Sequence, residues 1–405
     1  MLLAACGDDS KTPVAPTFVP FTAPVRSPAA TTSLPVATTS PVITRQVNDS
    51  RLPSYMVLDW KTDFTKHSVS YDEITPAGMR DLIPPIDHPT FLRVSEAPEY
   101  MNDQEPVFTV EVNGDARAYP LAILVKHEIV NDELGGVPVV VTFCPLCNSA
   151  IVFNREVDGV TLDFGVSGNV RFSDLIMWDR QTESWWQQIS GEAIVGELTG
   201  TTLTFIPASV VSWREFREAY PDGRLLARDL DSGVNYDSPS YVGYDSPYSY
   251  PDLLNKAPDA RLPTLMRVVG LSAGGQDVAY PFSLLSEEPV YNDSVNGTDL
   301  VVFYAGGTLS PFPGPQNTEK RAVGSTGVFL ALVNGETLTF NRNDGLITDD
   351  ETGSTWNILG RAVAGPLAGT RLEPVLHGNH FWFAWAAFKS DTLIRGDIEP
   401  FRIGN

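Results

Sequence analysis

The stretch "AYPLAILVKHEIVNDELGGVPVVVTF", residues 118–143, aligns without a gap to "AYPFSLLSEEPVYNDSVNGTDLVVFY", residues 279–304. Both segments begin with Ala-Tyr-Pro, reach an Asn-Asp pair after the same interval, and end in a run of β-branched and apolar residues. Self-similarity at a fixed offset is the sequence signature of a repeated structural unit. The chain is therefore predicted to contain the same fold unit twice.

Four further matches follow in the same order. A D-x-x-T-x-S-x-W pattern starts at Asp179 and again at Asp349. The other matches pair 157–164 ("VDGVTLDF") with 333–340 ("VNGETLTF"), 196–203 ("GELTGTTL") with 365–372 ("GPLAGTRL"), and 212–216 ("SWREF") with 384–388 ("AWAAF"). We expect an internal duplication with repeat 1 at 105–229 and repeat 2 at 264–397, the two packed about a pseudo-two-fold axis.

Each unit is predicted to be α+β and strand-rich. "YPLAILVKHEIVN" has a proline near its start and apolar residues at helical spacing, which predicts a helix that ends near Asn131. "SVVSWREFREAYPDG" predicts a second helix, opened by Ser209 and ended by Pro221. "VPVVVTF" indicates a short buried strand, and "VDG" and "VNG" are typical of hairpin turns.

The N-terminal segments indicate where the protein is located. Leu3-Ala4-Ala5-Cys6 matches a bacterial lipobox, in which the cysteine receives a lipid, so 1–6 is interpreted as the remnant of a lipoprotein signal peptide. Residues 7–50 are rich in Pro, Ser and Thr and are predicted to be a disordered tether. The expected location is the cell envelope, outside the cytoplasmic membrane, with Cys6 as the membrane anchor. The alternative is an ordinary disordered N-terminus with an incidental cysteine.

Two other segments lie outside the repeats. Residues 51–104 are an N-terminal extension of the folded body, and 230–263 are a connector rich in Tyr and Pro. The connector is expected either to pack over one unit or to contact a ligand.

Composition excludes several classes of function. The net charge of −22 lies in the folded body, and an acidic surface is poorly suited to binding nucleic acid through its phosphates. No apolar run reaches the eighteen residues of a membrane span. The motifs of serine hydrolases, zincins, P-loop proteins and dinucleotide-binding proteins do not occur.

Cys144 and Cys147 stand out as candidate functional residues. The gapless alignment places Ala305 and Thr308 at the corresponding positions of the second copy, so the fold unit does not need the pair. As a structural clip, a disulfide closing about four residues stabilises by only about 2 kcal/mol, against about 3 kcal/mol for a fifteen-residue loop. A catalytic or ligand-binding role is therefore favoured over a purely structural one.

Three functions remain open for the pair. The leading interpretation is a thiol oxidoreductase or redox sensor with an unidentified redox partner or substrate, in which His127 serves as a nearby base. The second is a copper or zinc site formed by Cys144, Cys147 and His127, since the second copy has Glu288 in place of His127. The third is a non-catalytic scaffold or interaction module.

Two more histidines precede an aromatic segment. His377 and His380 have a spacing that suits a pair of metal ligands, but a strand leading into the aromatic core element "HFWFAWAAF" is the preferred interpretation.

The joined motifs resemble one known family. "KHEIVND", "TFCPLCNSAIVF", "SGNVRFSDLIMWDRQTESWWQQISGEAIVG", "VSWREFREAYPDG" and "HFWFAWAAF" are similar to the bacterial and archaeal domain of unknown function 3179, over about 100–395. The resemblance implies which family the chain belongs to, but it implies little about the chain's activity. Some members are catalogued as possible selenoproteins, which implies a redox use of Cys144 or Cys147.

Overall fold

The computed structural model describes residues 52, 54–246, 249–317 and 319–396. The lipid-anchor residue Cys6 and the tether at 7–50 lie outside these residues. No helix in the described ranges is long and apolar enough to cross a membrane.

Within the described residues no α-helix exceeds seven residues. The helices there are α1 (Ser54–Val57), α2 (Leu121–His127), α3 (Trp213–Ala219), α4 (Phe282–Glu287) and α5 (Trp382–Phe388). Single 3-10 turns lie at Tyr71–Glu73, Val94–Glu96, Pro145–Cys147, Leu230–Ser232 and Pro315–Asn317. Among the described residues, 42% lie in strands and 13% in helices, so this part of the protein is strand-rich, as the sequence predicted.

The strands of the first half are β1 (Ile74–Pro76), β2 (Phe91–Arg93), β3 (Pro106–Val112), β4 (Asp115–Pro120), β5 (Ile129–Leu134), β6 (Val137–Cys144), β7 (Ser149–Asn154), β8 (Glu156–Val157), β9 (Val160–Thr161), β10 (Phe164–Arg171), β11 (Asp174–Asp179), β12 (Trp185–Gln187), β13 (Glu192–Val195), β14 (Thr204–Ile206), β15 (Ala208–Ser212) and β16 (Arg224–Leu226).

The strands of the second half are β17 (Arg267–Ala273), β18 (Gln276–Pro281), β19 (Val290–Val295), β20 (Thr298–Ala305), β21 (Ser325–Leu330), β22 (Leu332–Val333), β23 (Glu336–Thr337), β24 (Phe340–Asn343), β25 (Leu346–Asp349), β26 (Thr355–Trp356), β27 (Ala362–Ala364), β28 (His377–Phe381) and β29 (Leu393–Ile394).

The sheets of the two halves have matching strand orders. In the first half the sheets are β15-β3-β4-β16-β2, β14-β7-β6-β5 and β1-β10-β11-β12-β13, with the hairpin β8-β9. In the second half they are β28-β17-β18-β29, β19-β20-β21 and β24-β25-β26-β27, with the hairpin β22-β23. The parallel pair β4–β16 of the first half has its counterpart in the parallel pair β18–β29.

The D-x-x-T-x-S-x-W motif closes a turn after β11. The Asp179 carboxylate accepts hydrogen bonds from the Thr182 amide at 2.6 Å and from the Trp186 indole at 2.9 Å, and the Thr182 and Ser184 hydroxyls lie 2.7 Å apart. These side chains therefore provide hydrogen-bond partners for the polar groups of the turn. The second half has the same contacts among Asp349, Thr352, Ser354 and Trp356.

The Asn-Asp pair joins sheets within each half. Asn131 donates to the Phe164 carbonyl at 2.8 Å and accepts from the Phe164 amide at 2.9 Å, while Asp132 accepts from the Tyr119 hydroxyl at 2.6 Å. The Asn131 side chain thus gives the Phe164 amide and carbonyl, at the start of β10, the hydrogen bonds that a neighbouring strand would otherwise provide. The matching residues Asn292, Phe340, Asp293 and Tyr280 have the same hydrogen bonds.

The two halves share one apolar core, and strands of each half contact strands of the other. One apolar cluster combines Trp213 and Phe216 of the first half with Phe303, Phe329 and Phe340 of the second. In addition, β15 of the first half contacts β21 of the second, and β7 of the first half contacts β28 of the second. Because β28 corresponds to β15 and β21 corresponds to β7, these two contacts are equivalent.

Some predicted boundaries were wrong. The first helix ends at His127 instead of Asn131, because Glu128 has a positive φ of 58° and Ile129 already begins β5. The second helix starts at Trp213, since 208–212 form β15 and Ser212, not Ser209, caps the helix through the Glu215 amide at 3.2 Å.

The match of "SWREF" to "AWAAF" was misaligned by three residues, because it paired Trp213 with Trp385. Trp213 and Trp382 each occupy the first position of their helices, α3 and α5, and each helix follows directly on the edge strand of its sheet.

We expect the Asn131→Ala and Asn292→Ala variants each to lower the free energy of unfolding by about 2–4 kcal/mol, because each leaves a buried backbone amide and carbonyl without partners. The exposed Asn343→Ala change should cost about 0.5 kcal/mol or less. Urea unfolding of the three variants measures this. Equal effects at Asn131 and Asn343 would contradict the role of the asparagine.

Candidate functional site

The two body cysteines lie at the head of the β6–β7 hairpin. Cys144 ends β6 and pairs with Ser149 across the ladder, while Cys147 ends the 3-10 turn that Pro145 begins. Asn148 then takes a left-handed conformation, with φ 51° and ψ 33°, and returns the chain into β7. Both cysteines are buried, at 2% and 0% exposure. The turn therefore presents two neighbouring sulfurs to the protein interior.

The hairpin between β10 and β11 meets the sulfurs from the opposite side. At its tip Phe172 and Ser173 have φ values of 54° and 66°, which is unusual for residues other than glycine and is strained for a bulky aromatic residue. The Ser173 carbonyl accepts from Cys144 Sγ at 3.6 Å and from Cys147 Sγ at 3.4 Å. Both thiols therefore share one backbone acceptor.

Asp174 completes a group of three. One of its carboxylate oxygens and the two Sγ atoms all lie within 4.8 Å of one another, and all three residues are buried. Asp174 Oδ2 accepts from Gln187 Nε2 at 2.6 Å and from the Ile189 amide at 3.0 Å, whereas Oδ1 is buried without a partner among the described residues. Burial raises the pKa of Asp174 to about 6, against the opposing effect of these donors.

A second carboxyl group, that of Glu128, lies next to Cys144. Glu128 follows α2 directly, and its carbonyl accepts from the Phe143 amide at 2.8 Å, which ties it to the strand that delivers Cys144. Burial, and secondarily the charge of Asp174, raise the pKa of Glu128 to about 8. It forms no ion pair in the described part of the chain. Glu128 is therefore mainly protonated at pH 7.

The thiols themselves are weak acids at this site. Burial raises the pKa of Cys144, and the nearby Asp174 and Glu128 carboxyls act in the same direction. Burial also raises the pKa of Cys147, well above its ordinary value. A thiolate at either position therefore depends on a nearby group that takes the proton.

A cavity of about 510 Å³ opens next to Cys144. Its wall includes Glu128, Cys144 and Leu146, together with 77–79, 82–83 and Leu253. Cys147 and Asp174 do not line it. A molecule in this cavity would therefore meet Cys144 first, with Cys147 behind it.

The Tyr-rich connector covers the cysteine turn. The Tyr244 hydroxyl donates to the Leu146 carbonyl at 3.0 Å, and Tyr241 lines the cavity. Burial raises the pKa of both phenols far above the ordinary value, so both stay neutral donors. The Ser173 hydroxyl donates to the Asp252 carbonyl, which fastens the same connector to the β10–β11 hairpin.

His127 does not belong to the Cys144, Cys147 and Asp174 group. Its Nδ1 lies 2.7 Å from the Pro84 carbonyl and its Nε2 lies 2.6 Å from the Tyr236 hydroxyl, so both ring nitrogens already have partners. Burial lowers the pKa of the ring. The neighbouring Glu128 is the residue that faces the cysteines.

Sequence reasoning missed Asp174 and Glu128, although one signal for Asp174 was present. The segment from Phe164 to Asp179 is six residues longer than the matching segment from Phe340 to Asp349. In each segment the first and last residues pair with each other across the hairpin. The extra length holds Ser173 and Asp174. The hairpin extension and the two cysteines therefore occur together, in the first half alone.

Comparison with known proteins gives one match. No curated protein and no solved structure matches the chain. The family model described as "Protein of unknown function (DUF3179)" matches residues 80–392, which is most of the described body, and the chain therefore belongs to the DUF3179 family.

Proposed function

We propose that Cys144 and Cys147 form a reversible dithiol–disulfide couple that acts on a molecule entering the adjacent cavity. The observation that carries this proposal is the buried contact of the two thiols with the Asp174 carboxylate. Oxidation of two thiols to a disulfide releases two protons and two electrons, and a buried site needs a group that accepts a proton. A carboxylate with a pKa near 6 is suited to that role near neutral pH.

The positions of the two sulfurs suggest an order of events. Cys144 faces the cavity and attacks one sulfur of a substrate disulfide, and the proton that it gives up goes to the first substrate thiolate as that thiolate leaves. Cys147 then attacks the Cys144 sulfur of the mixed disulfide, and its proton passes to Asp174. The second substrate sulfur leaves as a thiolate and takes up a proton from solvent, and Asp174 releases its own proton to solvent. The protein ends as the Cys144–Cys147 disulfide, and one substrate disulfide has become two thiols.

A metal site is the second candidate, and a different observation favours it. Asp174 Oδ1 is buried without a partner beside two sulfurs that a thiophilic ion would bind as thiolates. Copper or zinc would fit this donor set, in which Asp174 takes the place of His127. A cation would also neutralise a group of acids that has no basic partner in the described part of the chain.

The setting of the site follows from the N-terminal sequence. We infer a lipid anchor at Cys6 and a location outside the cytoplasmic membrane, where disulfides persist. We also infer that 105–229 and 264–397 arose by duplication of one unit, with the matched strand orders and repeated hydrogen bonds as support. If neither thiol nor metal chemistry is found, the remaining proposal is a non-catalytic scaffold or interaction module.

In a Cys6→Ser background, we expect Cys147→Ser to accumulate a mixed disulfide with oxidised glutathione at Cys144. Cys144→Ser should accumulate the adduct at Cys147 about tenfold more slowly, because thiol access sets the rate. Mass spectrometry of the intact protein over time measures both. Equal rates would remove the assignment of Cys144 as the attacking thiol.

Protein purified without chelator tests the metal alternative. If it holds, elemental analysis finds about one zinc or copper ion per chain, and Asp174→Asn or Cys144→Ser abolishes binding. His127→Gln is the matched control and should retain the ion, since the Nδ1 and Nε2 atoms of His127 bond elsewhere. Metal content that is unchanged in Asp174→Asn would defeat this donor set.

The raised pKa of Glu128 predicts a pH-dependent stability. The folded protein favours the protonated acid, so its contribution to stability is complete below about pH 4.5 and is lost as the pH rises to about 8. Relative to wild type, Glu128→Gln should therefore gain stability across this window, by at most about 5 kcal/mol.

Urea unfolding at several pH values measures this gain. Glu133→Gln, on the exposed side of β5, is the control and should follow wild type. A Glu128→Gln variant whose difference from wild type does not change between pH 4.5 and 8 would show that Glu128 ionises normally.

A further inference from the structure

A second cavity lies between the two halves, away from the thiols. It has a volume of about 580 Å³, within the range of roughly 300–1,000 Å³ typical of small-molecule sites. Strand β7 of the first half forms one wall and β28 with α5 forms the other. Its lining is largely apolar and includes Phe108, Phe205, Trp385 and Phe388.

Two glycines shape one wall of this cavity. Gly270 and Gly378 pair across β17 and β28. A Cβ on Gly270 would overlap the Trp385 ring, and a Cβ on Gly378 would overlap the His380 ring. Because neither side chain is present, the two rings lie against the strands and stack at a centroid distance of 5.3 Å and an angle of 21°.

His377 supplies a polar group with a defined role. Its Nδ1 lies 2.8 Å from the Val375 carbonyl, which accepts only, so Nδ1 carries the hydrogen. Burial lowers the pKa of His377, and the neutral ring therefore presents Nε2 as an acceptor. Nε2 is buried without a partner among the described residues, and His377 is one of the residues that line the cavity. An unpartnered buried acceptor is costly, so the site favours a ligand that donates.

The second buried imidazole strengthens this pattern. His380 is 2% exposed, and its Nδ1 also has no partner in the described ranges. Burial lowers the pKa of His380 to about 3, so it is neutral as well. Two charged residues on the lining are ion-paired, Arg171 with Glu73 and Lys389 with Asp277. The third, Glu192, accepts a hydrogen bond from the Ser68 hydroxyl at 3.1 Å, and its negative charge disfavours an anionic ligand.

The matching interface elsewhere in the molecule holds an ion-paired cluster. There Glu111, on β3, takes the position of the cavity residue Ser272 on β17, and it bonds to Arg361 at 3.0 Å and also to Arg371. The Arg361 guanidinium covers Tyr220 at 4.4 Å. The two equivalent interfaces therefore carry different side chains, with ion-paired groups at one and the cavity residues at the other.

We propose that this cavity binds a small, uncharged aromatic molecule that carries a hydroxyl or N–H donor. Its ring packs between Trp385 and Phe388, and its donor bonds to His377 Nε2. The proposal is independent of the thiol couple, because the cavity is not lined by Cys144, Cys147 or Asp174.

Equilibrium dialysis of the full chain with 2-naphthol and 2-methoxynaphthalene tests this proposal. The two probes have similar ring shapes, but only 2-naphthol has a donor. We expect 2-naphthol to bind about tenfold or more tightly than the ether, the value of one buried hydrogen bond. Equal affinities, or no binding of 2-naphthol, would overturn the proposal.

Two variants localise the binding. His377→Phe keeps the ring volume and should remove the preference for 2-naphthol, whereas Ala387→Trp fills the cavity from α5 and should abolish binding of both probes. His67→Phe is the control, since His67 Nδ1 also bonds to a backbone carbonyl, that of Val69 at 2.9 Å, and His67 does not line the cavity. Thermal unfolding verifies that each variant is folded. Unchanged binding in Ala387→Trp would place the probes elsewhere.

Discussion

The contact between the β10–β11 hairpin and the cysteine turn is the interaction on which the site depends. Through this contact the Ser173 carbonyl receives both thiols and the Asp174 carboxylate comes within reach of both sulfurs. It requires a left-handed backbone at Phe172 and Ser173, which has an energetic cost that the connector helps to offset by binding Ser173. The raised pKa values of the cysteines, Asp174 and Glu128 all follow from the same dense, buried arrangement of acids.

The second half serves as an internal control for this arrangement. It has the same strand order and the same asparagine and aspartate hydrogen bonds, yet it has Ala305 and Thr308 where the first half has cysteines, and a shorter β24–β25 hairpin. The strand order and hydrogen bonds that both halves share are therefore explained by the fold. The cysteine pair and the longer hairpin, which occur in one half, need another explanation. The same reasoning applies to the cavity beside His377, whose counterpart holds Glu111 and two arginines.

Patterns within short segments predicted much of the fold. The strand-rich composition and the hairpin turns followed from residue spacing and turn residues, and the cysteine pair stood out because the aligned segment of the second half lacks it. The end of α2 did not follow, because apolar spacing continues past Glu128 while the backbone reverses there. Asp174 was missed because its nearness to Cys147 results from packing between two hairpins, which no local pattern encodes.

Redox titration of the full Cys6→Ser chain against glutathione buffers of graded potential tests the central claim most directly. Alkylation followed by mass spectrometry counts the free thiols at each potential. The account predicts one reversible two-electron transition, in which the thiols of Cys144 and Cys147 disappear together, and a shifted midpoint in Asp174→Asn because the buried base is lost. Two thiols that stay alkylatable at every potential would contradict the account.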